Sequence, residues 1–486
     1  MYTTFQAASE KKNVLFLVSD DMRPNLGAYQ MANDPLFRSP PMYTPNLDEL
    51  AGESMVFLNA FCQQALCGPS RTSFLTSRRP DTTRVVQCNV YWRNTGGNFS
   101  TISQFFSEQG YITLGGGKIL PEDDLENDPF TWSIPFHHSK ATHEMFSQRD
   151  AVWKAFNKTE LEKEPLTDTL EASYIIQKLQ DVAPLAKNGQ KNFFIAYGTH
   201  KPHMPFYFPE DFISLYPMEE IDLPYNPHCP VDMPRIAWHH PSILKYKDCG
   251  TEAMGNPDLG KINVTWPNEK VKEIRRAYYA TVSYVDHELG RVLKEVKRLG
   301  LENNTIIVFL ADHGWQLGEH AQWGKMTVFS VANRVPLIMK IPGVTEGGLT
   351  THKLVELVDI FPTLVEAAGF PSLDTCPNDS HGVLLCTEGS SLLPLFEDPK
   401  SNEWKDSVFW QYPRDLPSGF PKGLNFTEDD LPTKMGYTIR MVGYRYTEWV
   451  HIKHLTGLRY EPQWDNPADH EELYDLKIDP QENVNR

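Results

Sequence analysis

No segment of the 486-residue sequence approaches the ~18 consecutive apolar residues that a bilayer span demands, so no membrane-crossing helix is expected. Positive charge is in deficit as well. Against 63 Asp and Glu there are 46 Lys and Arg, a formal net charge of -17 that repels nucleic acid and other polyanions at long range. An anionic ligand must therefore be gripped by a local cluster of cations. No low-complexity tract and no repeat of roughly 20 to 50 residues occurs, which excludes solenoid and propeller architectures. The opening MYTTFQAASEKK lacks the apolar core of a signal peptide, so the expectation is a cytosolic chain or one whose signal has been removed.

Cysteine is scarce, and its count of seven is odd. Six N-x-[ST] triplets open at Asn98, Asn157, Asn263, Asn303, Asn378 and Asn425. Together these favour a secretory-pathway chain with one thiol reserved for chemistry and six for bridges. Cys376 with Cys386 and Cys229 with Cys249 are candidate local pairs, leaving Cys62 with Cys88; buried free thiols are the alternative for several of them.

What is present in quantity is apolar material, 40% of residues, enough for a large core. Runs 13–21, 193–200 and 305–314 are continuously hydrophobic and end abruptly in polar residues, the pattern of buried parallel strands with ligand-binding carboxyl ends. Helices are expected over 101–109, 167–179 and 268–299, the last stopped by Gly300. After Pro399 short pieces containing Trp410, Tyr412, Tyr437, Ile439, Tyr444, Tyr446 and Trp449 read as a small antiparallel sheet. The fold class is therefore α/β, a large mixed, mostly parallel sheet sandwiched by helices. Residues 1–402 form the catalytic domain and 403–486 a smaller C-terminal α+β subdomain.

The chemistry concentrates at a few strings. Cys67-Gly-Pro-Ser-Arg71 is followed by Leu75-Thr-Ser-Arg78-Arg-Pro80. Asp20 and Asp21 end the first strand and Asp312 and His313 a later one, so three carboxylates and an imidazole can converge from distant parts of the chain. Alone, an Asp-Asp pair at a strand end is ordinarily a cap or turn. With His313 they make an oxygen-dominated donor set that suits a hard cation such as Ca2+ or Mg2+ better than Zn2+. Arg71, Lys118 and Lys325 are candidates to clamp an oxyanion, although either lysine taken singly reads as a solvated surface residue. His200 and His203 lie in a Pro-stiffened turn after the second strand; one of them is the expected general acid.

The string C-x-P-S-R with its downstream L-T-x-x-R element resembles the signature of the sulfatase family, within the alkaline-phosphatase-like superfamily. The similarity extends over 74–84, 97–101, 200–206, 312–320, 355–364, 435–440 and 444–447, nearly end to end, and is strongest to the group that removes 2-O-sulfate from iduronate in heparan and dermatan sulfate. The resemblance implies that Cys67 is oxidised by a formylglycine-generating enzyme to formylglycine, whose hydrate attacks sulfur with one hydroxyl and expels sulfate with the other. It further implies one calcium ion held by Asp20, Asp21, Asp312, His313 and residue 67. Arg71, Lys118, Lys325 and His203 fall on family catalytic positions, and Arg78, His200 and Trp315 are the expected substrate-binding residues. The implied location is lysosomal or secreted, and the implied partner a sulfated glycosaminoglycan or other sulfated sugar.

One departure stands out: where the family motif runs G-K-x-x-H, this sequence has Gly117-Lys118-Ile-Leu-Pro121, without the histidine that assists sulfate release. His137 and His138 are candidates to replace it. The competing functions are hydrolysis of another sulfate ester, of a phosphonate or phosphodiester, or weakened catalysis with retained polyanion binding.

Overall fold

A computed structural model of the protein describes residues 11–30, 39–88, 90–120, 128–139, 150–415, 431–456, 458–466 and 468–486; Pro121 and Asn425 lie outside them. The main sheet holds β1 (Asn13–Ser19), β2 (Met55–Phe61), β3 (Ile112–Gly117), β4 (Phe193–Thr199), β5 (Thr305–Ala311), β6 (Arg334–Val335), β7 (Leu337–Lys340) and β8 (Leu349–Glu356). Its order is β6-β2-β7-β5-β1-β4-β3, with β8 on β2. β1 lies between β4 and β5, parallel to both, with Leu15 registered on Ile195 and Ile307. All seven residues of each of these three strands are buried, which is why their hydrophobicity is continuous. β7 runs antiparallel to β5 and β2, making the sheet mixed.

Five helices matter to the site: α1 (Cys67–Thr76), α2 (Ile102–Glu108), α3 (Thr167–Lys187), α4 (Asn268–Arg298) and α5 (Ile360–Ala367). α3 packs on β3 and β4, and α4 packs on α3. α3 continues eight residues past the expected end at Leu179, because Val182, Ala183 and Ala186 prolong its buried face. α4 stops where expected, with Gly300 in the left-handed region at φ 61°.

The second sheet contains β9 (Ser407–Arg414), β10 (Lys434–Met441), β11 (Tyr444–Leu455), β12 (Arg459–Pro462) and β13 (His470–Asp475), all antiparallel. Trp410 fastens it to the main sheet by stacking on Phe61 at 5.2 Å and donating its indole N–H to the Val328 carbonyl at 2.9 Å. Buried Arg445 adds a 2.7 Å contact to Glu482, which also accepts from Ser330 Oγ at 2.6 Å.

Of the cysteine pairs considered, Cys376–Cys386 is bonded, whereas Cys62, Cys88, Cys229 and Cys249 are free. Their sulfurs are directed elsewhere. Cys62 Sγ lies 3.7 Å from Asn333 Oδ1, Cys229 Sγ lies 3.3 Å from the His320 carbonyl, and Cys88 lies with its Cα against Gly68.

Glu319 ties α4 to the turn after β1. Buried, it accepts from Arg23 Nη1 at 2.9 Å and Arg275 Nη1 at 3.1 Å. Burial opposes its ionisation, but Arg23 and Arg275 outweigh it and hold the carboxyl down to about 2. A carboxyl depressed on folding stabilises fully above its unfolded pKa, and that stabilisation fades as pH falls toward the folded value; here it amounts to about 3 kcal/mol. Glu319→Gln is therefore expected to unfold at lower urea than the parent by a constant margin from pH 7 to pH 5. The margin should close from about pH 4.5 downward, following the unfolded carboxyl. A margin already shrinking between pH 7 and 5 would contradict this assignment.

Candidate active site

Adjacent strands β1 and β5 end side by side, so Asp20-Asp21 and Asp312-His313 meet beyond their carboxyl ends. The Asp21 N–H donates to Asp312 Oδ1 at 3.1 Å, and that oxygen also accepts from the His313 N–H at 2.9 Å. Asp21 takes a left-handed conformation, φ 59°. Buried Tyr278 of α4 pins that turn, donating its hydroxyl to the Asp21 carbonyl at 2.8 Å and accepting the Arg23 N–H at 3.0 Å. This positioning tyrosine was not visible in the sequence, where it is one apolar position of an amphipathic helix.

Cys67 opens α1. Its sulfur lies 3.4 Å from Asp20 Oδ1, 3.5 Å from His313 Nε2 and 2.9 Å from Lys325 Nζ, with Lys118 Nζ at 3.8 Å. Arg71, one turn along α1, donates Nε to Asp312 Oδ2 at 2.8 Å and Nη1 to the Ile119 carbonyl at 3.2 Å; its Nη2 is buried without a hydrogen-bond partner among the described residues. Lys325 Nζ also reaches Asp21 Oδ1 at 2.6 Å, and Lys118 Nζ bonds Asp20 Oδ2. The glycines before Lys118 serve strand packing: a Cβ on Gly117 would stand 1.9 Å from the Gly198 carbonyl oxygen. β3 and β4 thus close tightly enough to deliver Lys118 to Asp20.

Ligand-type atoms of Asp20, Cys67, Asp312 and His313 lie within 4.8 Å of one another, and so do those of Asp20, Asp21 and His203. His313 Nδ1 faces the Gly314 carbonyl at 3.0 Å, which leaves Nε2 as the atom presented to the cluster. Asp21 Oδ2 is buried with no hydrogen-bond partner among the described residues. Burial, together with the charge of Asp20, drives the Asp21 carboxyl well above its ordinary range. Asp20, equally buried, is held well below that range chiefly by Lys118 and Lys325, with Arg71. The clustered ligand-type atoms and the Asp21 oxygen that lacks a hydrogen-bond partner among the described residues mark a place for positive charge. A cation fits it, and the donor set is oxygen-rich.

His203 borders the same cluster, its Nε2 at 3.9 Å from Asp21 Oδ2 and its Nδ1 at 2.6 Å from the Met204 carbonyl. Burial and the nearby Lys325 push the imidazole down to about 3, so the ring is neutral in this state. Trp315 forms a wall of the site, its ring 6.5 Å from that of His203 and 5.7 Å from Lys325 Nζ; the indole N–H is buried without a hydrogen-bond partner among the described residues. His200 is set apart from the cation cluster. Its Nδ1 lies 3.1 Å from Oδ1 of buried Asp168, which also receives the His200 and Lys201 N–H groups. Asp168 gave no local signal in the sequence.

Two expectations find no support in this geometry. Arg78 is buried away from the cluster, donating to the Val383 carbonyl at 3.0 Å and to the Cys386 carbonyl, so it braces the disulfide loop. His137 stacks on Tyr174 at 3.9 Å and its Nε2 faces Ser139 Oγ, not Cys67.

The family model described as Sulfatase matches residues 12–370. Iduronate 2-sulfatase of Mus musculus is 38% identical over 91% of this chain and 86% of its own length; that of Homo sapiens is 37% identical over 92% and 86%. A protein solved in complex with its substrate D-glucosamine-2-N,6-O-disulfate superposes with a TM-score of 0.67 at 20% identity, covering 98% of this chain and 93% of that one. Phosphonate monoester hydrolase of Agrobacterium radiobacter gives a TM-score of 0.66 at 21% identity over 98% and 91%. With a family model spanning most of its length and relatives above one-third identity along nine-tenths of it, this chain belongs to the sulfatase family.

Proposed function

We propose that the protein hydrolyses the 2-O-sulfate ester of terminal iduronate residues in heparan and dermatan sulfate, using formylglycine made from Cys67. The observation that carries this is the convergence of Cys67 with Asp20, Asp21, Asp312 and His313 and with the three cations Arg71, Lys118 and Lys325 in one buried cluster. Three carboxylates against three cations leave the cluster neutral, so a divalent ion is balanced by a sulfate monoester and one ionised hydroxyl at residue 67. When bound, that ion, proposed as Ca2+, supplies Lewis acidity toward a sulfate oxygen and the nucleophile. Arg71, Lys118 and Lys325 hold the remaining sulfate oxygens, and an incoming anionic ester offsets the field of Lys325, which adds to burial in keeping His203 neutral. His203 Nε2 is then the atom placed to protonate the leaving alcohol. Trp315, whose ring lies 6.5 Å from that of His203, and His200, held by Asp168, are the proposed substrate-binding residues.

The proposed setting is lysosomal or extracellular, with maturation by a formylglycine-generating enzyme. Exposed Asn98, Asn157, Asn263, Asn303 and Asn378 support glycosylation there. A division at 402/403 is consistent with a second sheet that begins at Ser407. The test is kcat/KM on a 2-O-sulfated iduronate disaccharide, a 6-O-sulfated glucosamine disaccharide, an aryl sulfate and an aryl phosphonate monoester. A preference of roughly 100-fold or more for the first is expected, since uniquely matched polar contacts discriminate on that scale. A preference for the phosphonate, or equal rates on both disaccharides, would overturn the assignment.

A further inference from the structure

Cys88 stands in a loop 21 residues beyond Cys67, yet its backbone lies against Gly68, the residue after Cys67, and the two thiols interact. The approach is built into the backbone. A Cβ on Gly68 would meet the Gln87 carbonyl oxygen at 2.7 Å and Cys88 Cα at 3.0 Å, so only glycine after Cys67 lets this loop close over the start of α1. Half-buried Cys88 packs in a cluster with Leu66, Trp410 and Tyr412, so β9 of the C-terminal sheet covers the loop from outside. Neither thiol has another cysteine partner: Cys62 is turned toward Asn333, and the single disulfide among the described residues is Cys376–Cys386.

We propose that Cys67 and Cys88 form a disulfide in every molecule that folds with Cys67 unconverted, a cross-link that seals the cation cluster in a dead-end form. The oxidant is a low-molecular-weight disulfide such as oxidised glutathione. One cysteine sulfur attacks it and releases one thiol; the second cysteine sulfur then attacks the mixed disulfide and releases the other. Two S–H bonds and one S–S bond break, one intramolecular S–S bond and two new thiols form, and two electrons pass to the oxidant. The cross-link consumes the thiol that conversion to formylglycine requires. The inference rests on the close approach of the Gln87–Cys88 backbone to Gly68, independently of the substrate assigned above.

The experiment uses the full chain secreted from cells lacking formylglycine-generating activity, alkylated at harvest and digested without reduction. The expected result is a peptide joining Cys67 to Cys88 as the main form, lost on reduction, with its fraction tracking the ratio of oxidised to reduced glutathione in a buffer series. Cys88→Ser should leave Cys67 fully alkylated. Full alkylation of both cysteines in the parent at oxidising ratios, or a Cys62–Cys88 peptide instead, would overturn the proposal. Co-expression with the converting enzyme is the separate control for the nucleophile: formylglycine at residue 67 should appear with Cys88 alkylatable. If residue 67 stays a thiol there while the protein turns over substrate, the formylglycine mechanism fails and the cross-link result still stands.

Discussion

Cys67→Ala is expected to abolish sulfate release, lowering turnover by on the order of 10^4-fold or more, the scale of removing a covalent nucleophile. The fold should survive. The thiol is the only part of the residue that faces the cluster, and the ion pairs around it do not depend on it: Lys325 keeps Asp21, Lys118 keeps Asp20 and Arg71 keeps Asp312. Losing one small buried side chain at a helix start costs about 1 kcal/mol, so the thermal midpoint should move by only a few degrees. Cys67→Ser gives the sharper result. A serine hydroxyl can accept the sulfuryl group, but it lacks the second hydroxyl whose collapse expels sulfate. One equivalent of alcohol should be released, after which the residue-67 peptide should carry a stable sulfate ester. More than a tenth of parental turnover in Cys67→Ala would remove residue 67 from the nucleophile role.

Much of this arrangement was legible in the sequence because the strands that carry the ligands are buried on both faces. Continuous apolar runs ending in Asp20-Asp21 and Asp312-His313 announce both the strand and the place where it stops. What was not legible is whatever depends on contact between distant segments. Tyr278 looks like any core residue of α4, and only the fold brings its hydroxyl to the Asp21 carbonyl. Asp168, at the start of α3, acquires its role from the turn after β4. Arg78 is the converse case: its place in a recognisable motif suggested substrate, and in the fold its guanidinium meets the carbonyls of the disulfide loop. Cys88 was assigned by elimination to Cys62, and elimination carries no information about direction.

Chelation of the divalent ion is expected to stop turnover completely and to lower thermal stability, both restored by added Ca2+. A ligand at 100 times its Kd stabilises the folded state by about 2.7 kcal/mol, enough to shift the melting transition visibly. Within the cluster, Asp21→Asn isolates charge from geometry. Asparagine tolerates the left-handed turn at φ 59°, so the backbone is unstrained while one carboxylate oxygen without a hydrogen-bond partner becomes neutral. The expected result is a loss of Ca2+ affinity of roughly 10-fold or more by calorimetry, with turnover recovered at high Ca2+. Tyr278→Phe should act in the same direction but more weakly. It removes two hydrogen bonds that hold the Asp21 turn, and each contributes about 1 kcal/mol. A variant whose melting point falls while its Ca2+ affinity stays at the parental value would make Tyr278 a support of the fold alone. Full turnover in protein shown by elemental analysis to be metal-free would remove the ion from the reaction and leave Asp20, Asp21 and Asp312 as partners of Lys118, Lys325 and Arg71 only.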